Sequence, residues 1–251
     1  MISRPATTTG QKLRFLRPGN TSEYRYASKI IKEVTKAYVA THAGFEKYAR
    51  SVQRNPLDLG LRVYAACFCE EKDLLSQWRA YGRQGTGYAI EFSWAKLRIN
   101  RAVNGFGRVE YAEHAQKEIL NQILTSLAND VSVEHRDHHE IFAGIASGLT
   151  NALLPVRAFL KSKTFREEKE WRIIEFNFNR PDLKELYRPS NNLLVPYCEV
   201  PLGNADELPI NKIVIGPSLP RETEDSLRRF LDNIGLKSVA IEAASFRLRG
   251  V

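Results

Sequence analysis

The chain has 251 residues, of which 43% are hydrophobic and 26% are charged, so it carries enough apolar material for a sizeable core. A formal net charge of +8 favours anionic partners such as nucleic acid or a nucleotide. The first twelve residues lack the apolar run of a secretion signal and no segment is apolar enough to span a bilayer, so we expect a cytoplasmic protein without a membrane partner.

The first half of the chain predicts helices separated by short strands. Apolar residues at helical spacing predict one long helix or two over 23–53. The apolar stretch 62–70 predicts a central strand, and Asp73 is expected to cap the helix that follows it. A second strand is predicted over 87–92, and we expect it to pair with the first.

The second half of the chain predicts two further helices and then an alternation of strands. Helical periodicity predicts helices over 113–131 and 134–161. The later elements are strands over 168–178, 193–202, 212–217 and 237–244, with a helix over 223–234. We therefore expect a single α+β domain over 1–251, with a mixed central sheet and long inserted helices.

A short polar and aromatic helix follows the first predicted strand. It carries Ser76, Gln77, Trp78, Arg79 and Tyr81. A helix that only packs would use Leu or Ala at such positions, whereas these residues supply hydrogen bonds, a cation and stacking faces. We interpret the helix as one wall of a ligand pocket.

A second polar constellation lies on the strand predicted over 168–178. Strand alternation places Glu168, Glu170 and Arg172 on one face, with successive members about 6.5 to 7 Å apart. Two carboxylates at this spacing should raise the pKa of at least one of them unless Arg172 compensates. Perturbed carboxylates of this kind are typical of catalytic sites.

Several motifs resemble those of the bacterial proteins grouped as domain of unknown function 2971. They are the stretch 66–82 continued by 85–92, the segment 165–172, the segment 213–217 and the tail 245–249. Cys69 stands where that family usually has Ser. The family's opening strand, with a His-Tyr-Thr-like triplet, has no counterpart before Leu13, so we expect the chain to lack that strand.

The order of motifs in that family is similar to the ADP-ribosyltransferase layout, so the resemblance implies an NAD-dependent transferase or NAD glycohydrolase. It implies Glu170 as the catalytic carboxylate, which stabilises an oxocarbenium-like ribose, and Glu168 as the group that orients the acceptor. The residues expected to bind NAD, by gripping phosphate, stacking or hydrogen bonding, are Gln77, Trp78, Arg79, Tyr81, Tyr88 and Arg172.

Other functions stay open at this point. The chain is alternatively a non-catalytic nucleic-acid-binding module that uses its charge with Trp78, Tyr81 and Trp94. A nuclease-type toxin would instead use Glu168 and Glu170 to hold Mg²⁺. We assign no metal ligand, because the pair His135 and His139 lacks an identifiable third ligand.

Overall fold

The computed structural model describes residues 12–16, 21–42, 45, 63–93, 105–133, 153–176, 184–190, 193–201 and 208–247. Within them it has both helices and strands, which confirms the α+β class. The chain divides into two compact units: unit 1 is 1–13, 69–102 and 200–251, and unit 2 is 14–68 and 103–199. The expectation of one domain stays a prediction.

The elements are named here in chain order. They are β1 (Lys12–Leu16), α1 (Thr21–Thr41), β2 (Val63–Cys69), α2 (Leu75–Ala80), β3 (Tyr88–Phe92), β4 (Gly105–Arg108), α3 (Glu113–Val133), β5 (Glu170–Phe176), β6 (Leu186–Ser190), β7 (Leu193–Pro201), β8 (Ile210–Ile215), α4 (Thr223–Asn233) and β9 (Ala240–Ala243). A 3-10 helix, Lys163–Glu168, immediately precedes β5.

Unit 2 is built on a six-stranded sheet with the strand order β4-β5-β2-β1-β7-β6. The pairs β1–β2, β4–β5 and β6–β7 are antiparallel. In the same unit, α1 and α3 bury a common apolar core, because their apolar residues recur three and four positions apart. The buried members of this core on the two helices are Ala27, Ile30, Ile31, Val34, Tyr38, Leu120 and Leu124.

Unit 1 contains a three-stranded sheet with the order β3-β8-β9. Strands β3 and β8 are antiparallel, with Ile90 opposite Ile213. Strands β8 and β9 are parallel, and α4 lies between them in the chain, as a parallel pair requires a crossover. Gly235 follows α4 with a φ of 83°, a conformation that favours glycine after a helix.

Three local expectations were wrong. Strands β2 and β3 do not pair, because β3 lies in the three-stranded sheet and β2 in the other. Asp73 does not cap α2: the residue at the N-cap position is Leu74 and no side chain caps it. Strand β5 begins at Glu170 rather than at 168, since Lys169 has a left-handed backbone with a φ of 41°.

Among the described residues, no helix combines the length and the apolar character needed to cross a membrane. Trp94, His135 and His139, which were singled out from the sequence, lie outside the described residues.

Candidate functional site: a buried charge cluster

Glu170 and Arg172 form a bidentate ion pair on one face of β5. The Arg172 Nε donates to Glu170 Oε1 over 2.9 Å, and its Nη2 donates to Oε2 over 2.8 Å. Both residues are buried, with 6% and 4% exposure. The alternation of a strand explains the pairing, because residues two positions apart share a face.

Lys161 joins the two carboxylates that the sequence singled out. Its Nζ lies 2.6 Å from Glu168 Oε2 and 3.0 Å from Glu170 Oε2, and the side chain is only 4% exposed. Glu168 reaches this point from the end of the 3-10 helix rather than from the strand. The expected convergence of Glu168, Glu170 and Arg172 is therefore present, but a lysine that the sequence analysis did not identify organises it.

Glu23, from the first turn of α1, completes the group. It accepts from Lys161 Nζ over 2.9 Å and from Arg172 Nη2 over 3.1 Å. No role in the site was predicted for Glu23, although a signal existed. Glu23 lies four residues before the buried Ala27, in register with the apolar stripe, where a charged residue needs a buried partner.

We call Glu23, Lys161, Glu168, Glu170 and Arg172 the charge cluster. Its three carboxylates exceed its two cations, so its formal charge is −1. Glu168 is its most exposed carboxylate, with 20% of the side chain open to solvent while it pairs with Lys161. Glu168 is thus the member of the cluster best placed to meet a ligand.

The contacts within the cluster favour the ionised forms of both Glu170 and Lys161. Burial alone would raise the pKa of Glu170, but the hydrogen bonds and charge of Arg172, with help from Cys67 and Lys161, bring this pKa below its ordinary value of 4.5. Burial alone would lower the pKa of Lys161, but its contacts with Glu168, Glu23 and Glu170 raise this pKa above its ordinary value. Arg172 therefore supplies the compensation that the sequence analysis required.

Neutral polar groups hold the cluster in place. Gln116 is fully buried in α3, and its Nε2 donates to the backbone oxygens of Glu110 and Lys161 over 2.7 and 2.9 Å. The Glu170 backbone N–H donates to the Tyr111 hydroxyl over 3.1 Å, and Arg172 Nη1 donates to the Ala158 oxygen over 2.6 Å. These bonds hold the backbone of Lys161 and of Glu170, and the guanidinium of Arg172, in position.

Cys67 on β2 lies beside the cluster, close enough for its thiol to interact with the Glu170 carboxylate. Its side chain keeps access to solvent, although neighbouring protein atoms crowd it. This desolvation, together with the negative charge of Glu170, raises the pKa of the thiol to about 12. The thiol is therefore accessible but protonated near neutral pH, which makes it a poor nucleophile.

The remaining residues expected to bind a cofactor lie in unit 1. Arg79 is exposed, and Tyr81 and Tyr88 are 71% and 49% exposed. Gln77 is half-buried, and its backbone oxygen accepts from the N–H groups of Tyr81 and Gly82. In unit 2, Arg172 makes four hydrogen bonds within the protein, so its donors are mainly used on Glu170 and Glu23.

Trp78 differs from its expected role as a stacking face. It is 3% exposed, and its Nε1 donates to Asp73 Oδ1 over 2.6 Å. Asp73 Oδ2 also accepts from the Ser245 backbone N–H over 2.6 Å, so Asp73 ties the tail of the chain to Trp78. Both residues serve the packing of unit 1, which explains why an aromatic residue occurs in this polar helix.

The charge cluster predicts a defined pH range of stability. Because the folded-state pKa of Glu170 is lowered, its contribution is present above about pH 4.5 and is lost as the pH falls through the folded-state value. The pKa of Lys161 is raised, so its contribution is present below pH 10.5 and is lost as the pH rises through its folded-state value. Urea unfolding at several pH values measures both limits. We expect the free energy of unfolding of the Glu170→Gln variant to fall less steeply at acid pH than that of the wild type. An unchanged acid limit in that variant would contradict this role of Glu170.

Comparison with known proteins gives one match. The family model described as "Protein of unknown function (DUF2971)" matches residues 77–173. No curated protein and no solved structure matches the chain. The matched residues include Arg79 and Tyr81 of unit 1 and Lys161, Glu168, Glu170 and Arg172 of the charge cluster. Over this part of its length, the chain is similar to a family whose own description assigns no activity.

Proposed function

We propose that the charge cluster is the catalytic centre of an enzyme that breaks the nicotinamide–ribose bond of NAD and transfers ADP-ribose to an acceptor or to water. The observation that carries the proposal is the Glu170 carboxylate, which is buried, has a lowered pKa and is fixed by Arg172 and Lys161. Little water screens a carboxylate in such surroundings, so its negative charge can stabilise a developing positive charge, although Lys161 and Arg172 offset part of it.

Cleavage of the nicotinamide–ribose bond requires a negative charge close to the ribose. As the bond between the ribose carbon and the nicotinamide nitrogen breaks, nicotinamide leaves as a neutral molecule with the bonding electron pair. The ribose then becomes oxocarbenium-like, as in glycoside cleavage. The hydroxyl of an acceptor or of water attacks this carbon, and a second carboxylate takes its proton. Glu168 suits the second role, because it is 20% exposed beside Glu170 in the cluster.

The 3-10 helix next to the cluster carries groups that suit a nucleotide. Phe165 is 38% exposed and offers a ring for stacking. Lys163 and Arg166 are exposed cations on the same short helix, suited to phosphate. These residues and the cluster lie in one unit, so the proposal requires no residue of unit 1.

A metal-dependent nuclease is less well supported by the same residues. The carboxylate oxygens that a divalent cation would need are bonded to Lys161 and Arg172 at 2.6 to 3.1 Å. Within the described ranges, no group of three His, Cys, Asp or Glu residues is arranged to hold a metal ion.

The Glu170→Gln variant tests the proposed reaction. Glutamine keeps an oxygen for Arg172 but removes the negative charge, so we expect nicotinamide release to fall by about 10²- to 10³-fold while NAD still binds. Calorimetric titration with NAD and an assay of nicotinamide release in the same samples separate binding from turnover. Glu118→Gln, an exposed glutamate on α3, is the matched control and should keep full activity.

Folding is checked by thermal unfolding, since Glu170 also supports the cluster. If the wild-type protein neither binds NAD nor releases nicotinamide, the proposal fails and the cluster serves stability alone. Release that persists in a folded Glu170→Gln protein would equally remove Glu170 from the catalytic role.

A further inference from the structure

The loop between α2 and β3 presents two tyrosines on the surface of unit 1. The Gly87 and Gly85 N–H groups each donate to the Gly82 oxygen over 2.9 Å, which closes the loop on itself. Tyr81 and Tyr88 are the residues that flank this closed loop, and they are 71% and 49% exposed. Large parts of both tyrosines are thus exposed to solvent within a short, closed segment.

Two arginines belong to the same segment. Arg79 lies at the end of α2 and Arg83 lies in the loop, and both are exposed. Neither guanidinium forms an ion pair within the part of the chain that the structure describes. Their charges are therefore available to an external anion, unlike that of Arg172.

Hydrogen bonds hold the loop, although its backbone is unfavourable. Arg83 and Gln84 have φ values of 48° and 56°, which residues with a side chain seldom adopt. The Ser218 N–H donates to the Gly85 oxygen and its hydroxyl to the Gln84 oxygen, each over 3.0 Å. Because these bonds tie the loop to Ser218, a ligand would have less of it to order.

We propose that Arg79, Tyr81, Arg83 and Tyr88, which we call the Tyr–Arg surface, bind single-stranded nucleic acid. Exposed bases stack on tyrosine rings whatever their sequence, and arginines bind the phosphates between them. Two rings and two cations in one segment supply the residue types that bind the bases and the phosphates of a strand. A duplex would not use the rings, because its bases are already stacked. This site is independent of the reaction proposed at Glu170.

Fluorescence anisotropy with labelled single-stranded oligonucleotides of deoxythymidine or uridine tests the proposal. We expect wild-type binding at low salt, and we expect Arg79→Ala with Arg83→Ala to weaken it at least tenfold. The slope of log affinity against log salt should become shallower by about 0.7 for each phosphate that the double variant no longer neutralises. Tyr81→Ala should weaken binding with little change in that slope.

Matched controls come from α4, where Arg229 and Phe230 are also exposed. Arg229→Ala and Phe230→Ala should leave the affinity within twofold of the wild type, and thermal unfolding confirms that each variant folds. Absence of oligonucleotide binding at low salt would overturn the proposal, as would equal losses in the control variants. A mononucleotide that binds as tightly as the oligonucleotide would also overturn it, since the surface would then be a nucleotide site.

Discussion

The Lys161→Met variant should be less stable than the wild type by about 3–5 kcal/mol, the range seen when one partner of a buried ion pair is removed. Lys161 is 4% exposed and contacts the carboxylates of Glu23, Glu168 and Glu170 at 2.6 to 3.0 Å. Methionine fills a similar volume but leaves three carboxylates to share one arginine. The cost arises from buried negative charge that Arg172 neutralises only in part.

Urea unfolding measures this loss, and in a thermal scan it corresponds to a Tm about 10 °C lower for a chain of this size. Lys117→Met is the matched control. Lys117 pairs with Glu113 over 2.6 Å on the exposed side of α3, where solvent screens the pair. We expect this control to change the stability little. Equal losses in the two variants would show that the buried location of Lys161 has no special importance.

The Gly216→Ala variant should lose about 1–3 kcal/mol of stability, as expected for a side chain forced into filled space. A Cβ at Gly216 would lie 2.2 Å from the Gly85 oxygen and 2.6 Å from the Gly87 oxygen. Both are backbone atoms, so rotation of a side chain cannot relieve the clash. The Gly216 N–H also donates to the Gly87 oxygen over 3.0 Å, so the loop can move away only by breaking this bond.

Differential scanning fluorimetry and urea unfolding measure this effect. Gly107→Ala provides the control, because the Cβ added there would meet only the Phe159 ring at an ordinary 3.6 Å. Gly107→Ala should keep the wild-type midpoint within the error of the measurement. A Gly216→Ala protein with wild-type stability would mean that the loop has room to move.

Local pattern predicted α1, α3 and α4 well, but it did not predict pairing between distant strands. The stripe of Ile30, Ile31, Val34 and Tyr38 predicted α1 correctly, since helical spacing is a property of neighbouring residues. The partner of β3 could not be found in this way. Nearness in sequence favoured β2, but β3 pairs with β8, where Glu91 lies opposite Lys212.

In the candidate site, too, contacts within one strand could be predicted from the sequence, whereas contacts between distant elements could not. The pair Glu170 and Arg172 followed from strand alternation, because both residues lie on one strand. Lys161 and Glu23 come from other elements and meet the pair only after folding. Trp78 was interpreted as a ligand-binding residue because it lies in a polar and aromatic helix, but its ring is buried and its Nε1 donates to Asp73, which was expected to be a helix cap.

The pairing of β3 with β8 also bears on how the protein is made. Strand β3 ends at Phe92, whereas its partner begins only at Ile210. At a synthesis rate of about 5–20 residues per second, β3 would wait on the order of ten seconds for that partner. During this time the apolar edge that includes Tyr88 and Ile90 would stay unpaired on the ribosome, where nascent chains are exposed to aggregation and to chaperones.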